Sequence, residues 1–85
     1  MPLSESTAPH ILIVEDNPDQ LRLLIETLRG LDFRISVAFD GVQGYDRTVA
    51  SLPDLILLDV RMPRMDGFAL CRRLKANPVT EAIPV

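Results

Sequence analysis

The sequence predicts an α/β domain in which helices cover a parallel sheet. Two continuous aliphatic runs of strand length, 11–14 and 55–58, are typical of strands buried on both faces. Strand-like and helix-like segments alternate along the chain, as they do in parallel α/β folds. A length of 85 residues allows one small domain, and 47% hydrophobic with 25% charged residues is globular rather than disordered composition.

The N-terminal part predicts a leader, a strand and a helix. Residues 1–10 are polar with two prolines, so we expect a flexible leader before the strand at 11–14. Asn17 suits the N-cap of the first helix and Pro18 suits its first position. Gly30 is expected just after the last residue of this helix, where it would end it. The buried stripe expected between them, at i, i+3, i+4 and i+7, consists of Leu21, Leu24, Ile25 and Leu28.

The middle of the chain predicts a second strand and a second helix. Residues 33–39 alternate between apolar and other residues, which favours a strand at a sheet edge. Asp40 begins the next helix and Pro53 closes the unit. The inner stripe predicted for this helix consists of Val42, Tyr45 and Val49.

The last part predicts a third helix and the start of a fourth strand. Asp66 suits the N-cap, and Asn77 with Pro78 ends the helix. Its buried side is expected to hold Phe68, Leu70, Cys71 and Leu74. Residues 83–85 are expected to begin a fourth strand, which would leave the sheet incomplete at its C-terminal side.

Charge and composition exclude several classes of protein. A net charge of −3 gives no electrostatic reason to bind nucleic acid or an anionic membrane. No apolar run approaches the roughly 20 residues of a membrane span, and residues 1–10 lack the features of a secretory signal. A single cysteine excludes an internal disulfide and fits a reducing compartment, so we expect a cytoplasmic location. The glycines form neither a dinucleotide fingerprint nor a Walker A loop.

Three acids follow the two most hydrophobic strands. Glu15 and Asp16 come directly after the first strand and Asp59 after the third. Parallel strands have their carboxyl ends at one edge of the sheet, so these acids converge if the strands are neighbours. Oxygen ligands without Cys or His suit Mg²⁺ or Mn²⁺, and a carboxylate beside such a cation is a known phosphoryl acceptor. The simpler interpretation is that the acids only end strands and begin helices.

The stretches ILIVEDNPDQ and DLILLDVRMPRMDG resemble the receiver domain of two-component response regulators. The resemblance covers residues 11–85, which would be the N-terminal part of such a domain. It implies a flavodoxin-like, doubly wound parallel sheet of strand order 2-1-3-4-5, incomplete at the C-terminus. In that order the strands that precede Asp16 and Asp59 lie side by side.

The resemblance also implies roles for individual residues. Asp59 would be the acceptor that becomes aspartylphosphate, and Mg²⁺ would be held by Glu15, Asp16, Asp59 and the backbone carbonyl of Arg61. The phosphoryl donor would be a phosphohistidine of a sensor histidine kinase or phosphotransfer protein, or a small acyl phosphate. Such a domain takes part in its own phosphorylation and is not a turnover enzyme.

Two family positions have no counterpart in these 85 residues. The hydroxyl residue that ends strand 4 and the lysine that ends strand 5 are not matched by Thr80, which precedes strand 4, or by Lys75 on the third helix. A second hypothesis is therefore a non-phosphorylated interaction module. It would form a homo-oligomer through the sheet edge at 55–58, which has no charge, proline or bulge to protect it. A stand-alone phosphohydrolase ranks last because no further acid or base is placed for it.

The remaining reactive or charged residues have simple interpretations. His10 is expected in a solvated loop of the leader, and Cys71 as a small apolar residue. Arg72, Arg73 and Lys75 are expected to form a solvated helix face.

Overall fold

The computed structural model describes residues 8–58 and 67–85, which form a three-stranded parallel sheet of order β2-β1-β3 with three helices. The elements, in chain order, are β1 (His10–Val14), α1 (Pro18–Leu28), β2 (Arg34–Ala38), α2 (Gly41–Ser51), β3 (Leu55–Leu58) and α3 (Gly67–Ala76). The predicted alternation and the predicted central position of the first strand are confirmed. None of the helices in the described ranges has the length and apolar composition needed to cross a membrane.

The centre of the sheet is covered on both faces, which explains the continuous aliphatic sequence of β1. Leu12 and Val14 join one core cluster with Ile56 of β3 and with Leu70 and Leu74 of α3. Ile11 and Ile13, on the opposite face by alternation, are buried as well.

The start and stop of α1 agree with the sequence prediction. The Asn17 side-chain oxygen accepts hydrogen bonds from the backbone N–H groups of Asp19 at 2.9 Å and Gln20 at 3.1 Å. Gly30, just past the helix, has a φ of +92°, a conformation that favours glycine. The four apolar residues of the predicted stripe are half-buried rather than buried, and α1 has no fully buried residue.

The predicted inner stripe of α2 is confirmed only at Tyr45, which is partly buried and packs against the core cluster. Val42 and Val49 are 39% and 41% exposed, whereas the buried residues of the helix are Gly41, Gly44 and Thr48. The small residues let α2 approach the sheet closely, because a Cβ at Gly44 would lie 3.0 Å from a methyl group of Val14. The Thr48 hydroxyl donates to the Gly44 carbonyl at 2.7 Å, so its burial leaves no polar group unpaired.

The prediction for α3 is partly confirmed. Leu70 and Leu74 are buried and Cys71 is half-buried, but Phe68 is 64% exposed. The helix ends at Ala76, before Asn77 as predicted, and the expected N-cap, Asp66, lies outside the described residues.

The charged face predicted for α3 is exposed, but two of its three side chains make specific contacts. The Arg73 guanidinium lies 4.2 Å from the centre of the Tyr45 ring. Lys75 donates to backbone carbonyls of the segment that follows the helix.

The expected fourth strand at 83–85 is replaced by irregular backbone, for which the described residues show one backbone hydrogen bond to the sheet. The Ile56 N–H donates to the Pro84 carbonyl at 3.0 Å, on the edge of β3 that faces away from β1. In a parallel ladder, residue 84 would also donate its own N–H to the neighbouring strand, and proline has no N–H. The edge of β3 is therefore partly covered, which corrects the expectation that it lacks any protection.

The first strand begins one residue earlier than predicted, at His10, so this residue does not lie in a solvated loop. The His10 ring Nε2 shares a hydrogen bond of 2.7 Å with the Ser36 hydroxyl of β2, and its backbone N–H donates to an Asp54 carboxylate oxygen at 2.7 Å. Residues 1–7 of the predicted leader lie outside the described residues.

Candidate functional site

The carboxyl ends of β1 and β3 lie side by side. The two strands are parallel neighbours, and Val14 at the end of β1 is aligned with Leu58 at the end of β3. Glu15 and Asp16 follow Val14 directly, and Asp59 follows Leu58 in the sequence. Asp59 and Arg61 themselves lie outside the described residues. The structure thus brings together the two strand ends from which the predicted acids continue.

Glu15 is a nearly buried carboxylate held at this edge. It is 6% exposed, and its backbone N–H donates to the Ala38 carbonyl at 3.0 Å, which continues the pairing of β1 with β2 by one residue. Its Oε2 accepts a hydrogen bond from the Asn17 backbone N–H at 3.2 Å. Removing a carboxylate from water costs free energy unless compensating contacts are made, and a cation would add such a contact.

Asp16 is exposed beside Glu15, at the rim of an open cleft of about 730 Å³. One part of the cleft is acidic, and the rest is formed by the end of β1, the N-cap and first turns of α1, and β3. The lining residues are Val14, Glu15, Asp16, Asn17, Gln20, Leu24, Leu57 and Leu58. Because Asp16 is solvated, its carboxylate can give up bound water and bind a cation without any loss of side-chain packing.

The structure places part of the predicted metal-ligand set. Within residues 8–58 and 67–85, no three His, Cys, Asp or Glu side chains form a group that could hold a metal ion. Glu15 and Asp16 are placed together, and the other two predicted ligands, Asp59 and the Arg61 carbonyl, fall outside the described residues. Two carboxylates at one edge, one buried and one solvated, fit a hard cation such as Mg²⁺.

Sequence reasoning missed part of the cleft. Asn17 was predicted only as an N-cap, but its backbone N–H also orients Glu15. Gln20 and Leu24 line the cleft and lie one helical turn apart on α1. The sequence signal for this pair was the spacing of four residues between Gln20 and Leu24, which places both side chains on one face of the helix.

Comparison with known proteins decides the family. A model described as "Response regulator receiver domain" matches residues 11–85. The chain belongs to the response regulator receiver family. It is similar to the response regulator PleD of Caulobacter vibrioides, with 47% identity over 75 residues that cover 88% of this chain. The matched part is 16% of the length of PleD.

Solved receiver domains share the fold. The signal receiver domain of a signal transduction histidine kinase from Syntrophus aciditrophicus is 42% identical and superposes with a TM-score of 0.87, covering 92% of this chain and 59% of its own. The receiver domain of a sensor histidine kinase from Pseudomonas aeruginosa is 32% identical with a TM-score of 0.86, covering 92% and 64%. That structure holds a magnesium ion in its active-site cleft. These matches confirm the predicted flavodoxin-like receiver fold, of which the chain spans about three-fifths.

Proposed function

We propose that this receiver chain accepts a phosphoryl group on Asp59 in a two-component phosphorelay. The observation that carries the proposal is the alignment of Val14 with Leu58 in neighbouring parallel strands, since it brings to one edge the two strand ends that the acids follow in the sequence. Membership of the receiver family supports the same role. The receiver is a phosphoacceptor and not a turnover enzyme in this proposal.

The proposed transfer needs few protein groups. A carboxylate oxygen of Asp59 attacks the phosphorus of a phosphohistidine, the new P–O bond forms as the P–N bond breaks, and the imidazole leaves with the electron pair. When bound, Mg²⁺ would neutralise charge on the phosphoryl oxygens. Glu15 and Asp16, with Asp59 and the Arg61 carbonyl, would hold this ion. The Asn17 N–H keeps the Glu15 carboxylate oriented at the strand end.

We propose a sensor histidine kinase or a phosphotransfer protein as the partner. Two solved relatives are themselves receiver domains of histidine kinases, which supports this class of partner. The cleft is open to solvent, so an imidazole ring presented by another protein can reach it. A cytoplasmic location, without contacts to nucleic acid or membrane, completes the proposal and agrees with the free thiol of Cys71.

Labelling with acetyl phosphate and Mg²⁺, followed by mass spectrometry of the intact chain, tests the proposal. We expect one added phosphoryl group, lost in Asp59→Asn and retained in the control Asp46→Asn, which changes an exposed acid on α2. Retention of the label in Asp59→Asn, or no label with Mg²⁺ present, would contradict it.

A second candidate function is self-association, without phosphorylation, through β3. The observations that favour it are the half-buried stripe of α1, the exposed Leu23 and the single backbone hydrogen bond, to Pro84, that the structure describes on the outer edge of β3. A second copy of the chain could pair with that edge and cover part of this apolar surface.

A further inference from the structure

Residues 77–84, here called the strap, connect the end of α3 with the outer edge of β3. The strap has no helix or strand of its own. It nevertheless ends in a defined contact, since the Ile56 N–H donates to the Pro84 carbonyl at 3.0 Å. One hydrogen bond to a proline is a weak attachment for an edge, so other contacts must set its position.

Lys75 supplies one such contact from the last turn of α3. Its ammonium donates to the carbonyl of Glu81 at 3.1 Å and to the carbonyl of Ile83 at 3.2 Å. An ammonium carries three N–H donors and no acceptor, so it can bind two carbonyls at once. Those carbonyls lie two residues apart, and Ile83 directly precedes Pro84. Lys75 therefore fixes the backbone that presents the Pro84 carbonyl to β3.

Thr80 supplies the second contact, from the middle of the strap. It is fully buried, and its hydroxyl donates to the Leu74 carbonyl at 2.7 Å. The Leu74 carbonyl belongs to the last turn of α3, where carbonyls have no partner within the helix. The Ile83 N–H in turn donates to the Thr80 carbonyl at 3.1 Å. The strap thus has a buried anchor at Thr80 and an exposed clasp at Lys75.

We propose that Lys75 is the positioning residue that holds the strap against β3 and so keeps this chain's own segment on the edge at Ile56. Pro84 forms only one of the two ladder bonds available to other residues, so the edge contact depends on the clasp together with Ile83, which packs against the core cluster. The inference does not rest on the phosphoacceptor role and would stand if Asp59 were never phosphorylated.

Amide hydrogen exchange of the full chain, measured by NMR at a concentration where sedimentation shows one species, tests the proposal. Lys75→Met keeps the aliphatic stem and removes the donors. We expect exchange of the Ile56 amide to rise roughly threefold to tenfold, which lies within the range for loss of one typical intramolecular hydrogen bond. The Leu57 amide, which alternation turns toward β1, should keep its rate.

Arg72→Met is the matched control. It removes a positive charge from the same helix at an exposed position for which the described residues show no hydrogen bond or ion pair. An unchanged Ile56 rate in Lys75→Met would overturn the proposal. An equal rise of the Ile56 rate in Arg72→Met would assign the effect to the charge of the helix. A joint rise of the Ile56 and Leu57 rates in Lys75→Met would assign the effect to global stability. Either result would also overturn the proposal.

Discussion

At the scale of single residues, Gly44 determines how closely α2 approaches the sheet. A methyl group there would meet Val14 at 3.0 Å and Leu70 at 3.1 Å, and both side chains are fully buried. Val14 is β-branched and has little rotamer freedom with which to move aside. The close packing of α2 therefore requires the absence of a side chain at this position.

Gly44→Ala should lower the free energy of unfolding although alanine is the better helix former. Overpacking costs about 1–3 kcal/mol, which exceeds the roughly 1 kcal/mol that alanine gains over glycine in a helix. Urea unfolding measures the difference, and Ala50→Gly on the exposed side of α2 shows the size of the propensity effect alone. A more stable Gly44→Ala variant would contradict the described packing.

At the scale of the elements, the N-cap of α1 links helix formation to the site. Asn17→Ala removes an acceptor for two backbone N–H groups and should lower the free energy of unfolding by about 1 kcal/mol. Asn17→Asp keeps an acceptor at the cap and should lose much less. Urea unfolding of both variants checks this, and equal losses in the two would show that the side-chain cap is not the cause.

The edge of β3 gives a second prediction for the elements. Pro84→Ala introduces an N–H at position 84, which the parallel pattern would pair with a carbonyl on the outer edge of β3. We expect the new amide to be protected from hydrogen exchange and the segment at 83–85 to extend the sheet. An amide at position 84 that exchanges as fast as an exposed loop residue would show that the missing N–H is not what limits this strand.

The sequence predicts elements better than helix faces. Continuous aliphatic runs identified β1 and β3 because strands buried on both faces need apolar residues at every position. The predicted face of α2 was wrong at Val42 and Val49 because the prediction assumed that apolar side chains mark the buried face, whereas close packing selected Gly44 and Thr48. His10 was misplaced since its role depends on Ser36, a cross-strand neighbour that no local pattern reveals.

For the candidate site, the sequence predicts the edge of the sheet but not the orientation of its side chains. Acids after two neighbouring parallel strands indicate an edge at which ligands bind, and the structure places Glu15 and Asp16 there. The orientation of Glu15 by the Asn17 N–H could not be predicted, because it depends on how the chain turns between β1 and α1.

At the scale of the whole molecule, β3 has the continuous aliphatic sequence of a central strand but lies at the edge of the described sheet. Its outer edge is partly covered by the contact with Pro84. If the chain associates through it, sedimentation should show dimers that dissociate on dilution. Leu57→Lys places a charge on β3 and should shift the equilibrium toward monomer, whereas Leu31→Lys, at an exposed loop position, should not. A concentration-independent monomer would remove self-association as a function.

If the acids after β1 and β3 converge at one edge of the sheet, Mn²⁺ should bind there, and its paramagnetic broadening of amide signals locates the site. NMR spectra of the amides should show the signals of Glu15, Asp16 and Leu58 broadened at low Mn²⁺. Those of His10 and Leu55, at the other end of the same strands, should stay sharp, because β1 alone spans about 13 Å. Asp16→Asn should weaken the broadening and Asp19→Asn, at an exposed position of α1, should leave it unchanged. No broadening, or equal broadening at both ends of the sheet, would contradict the account.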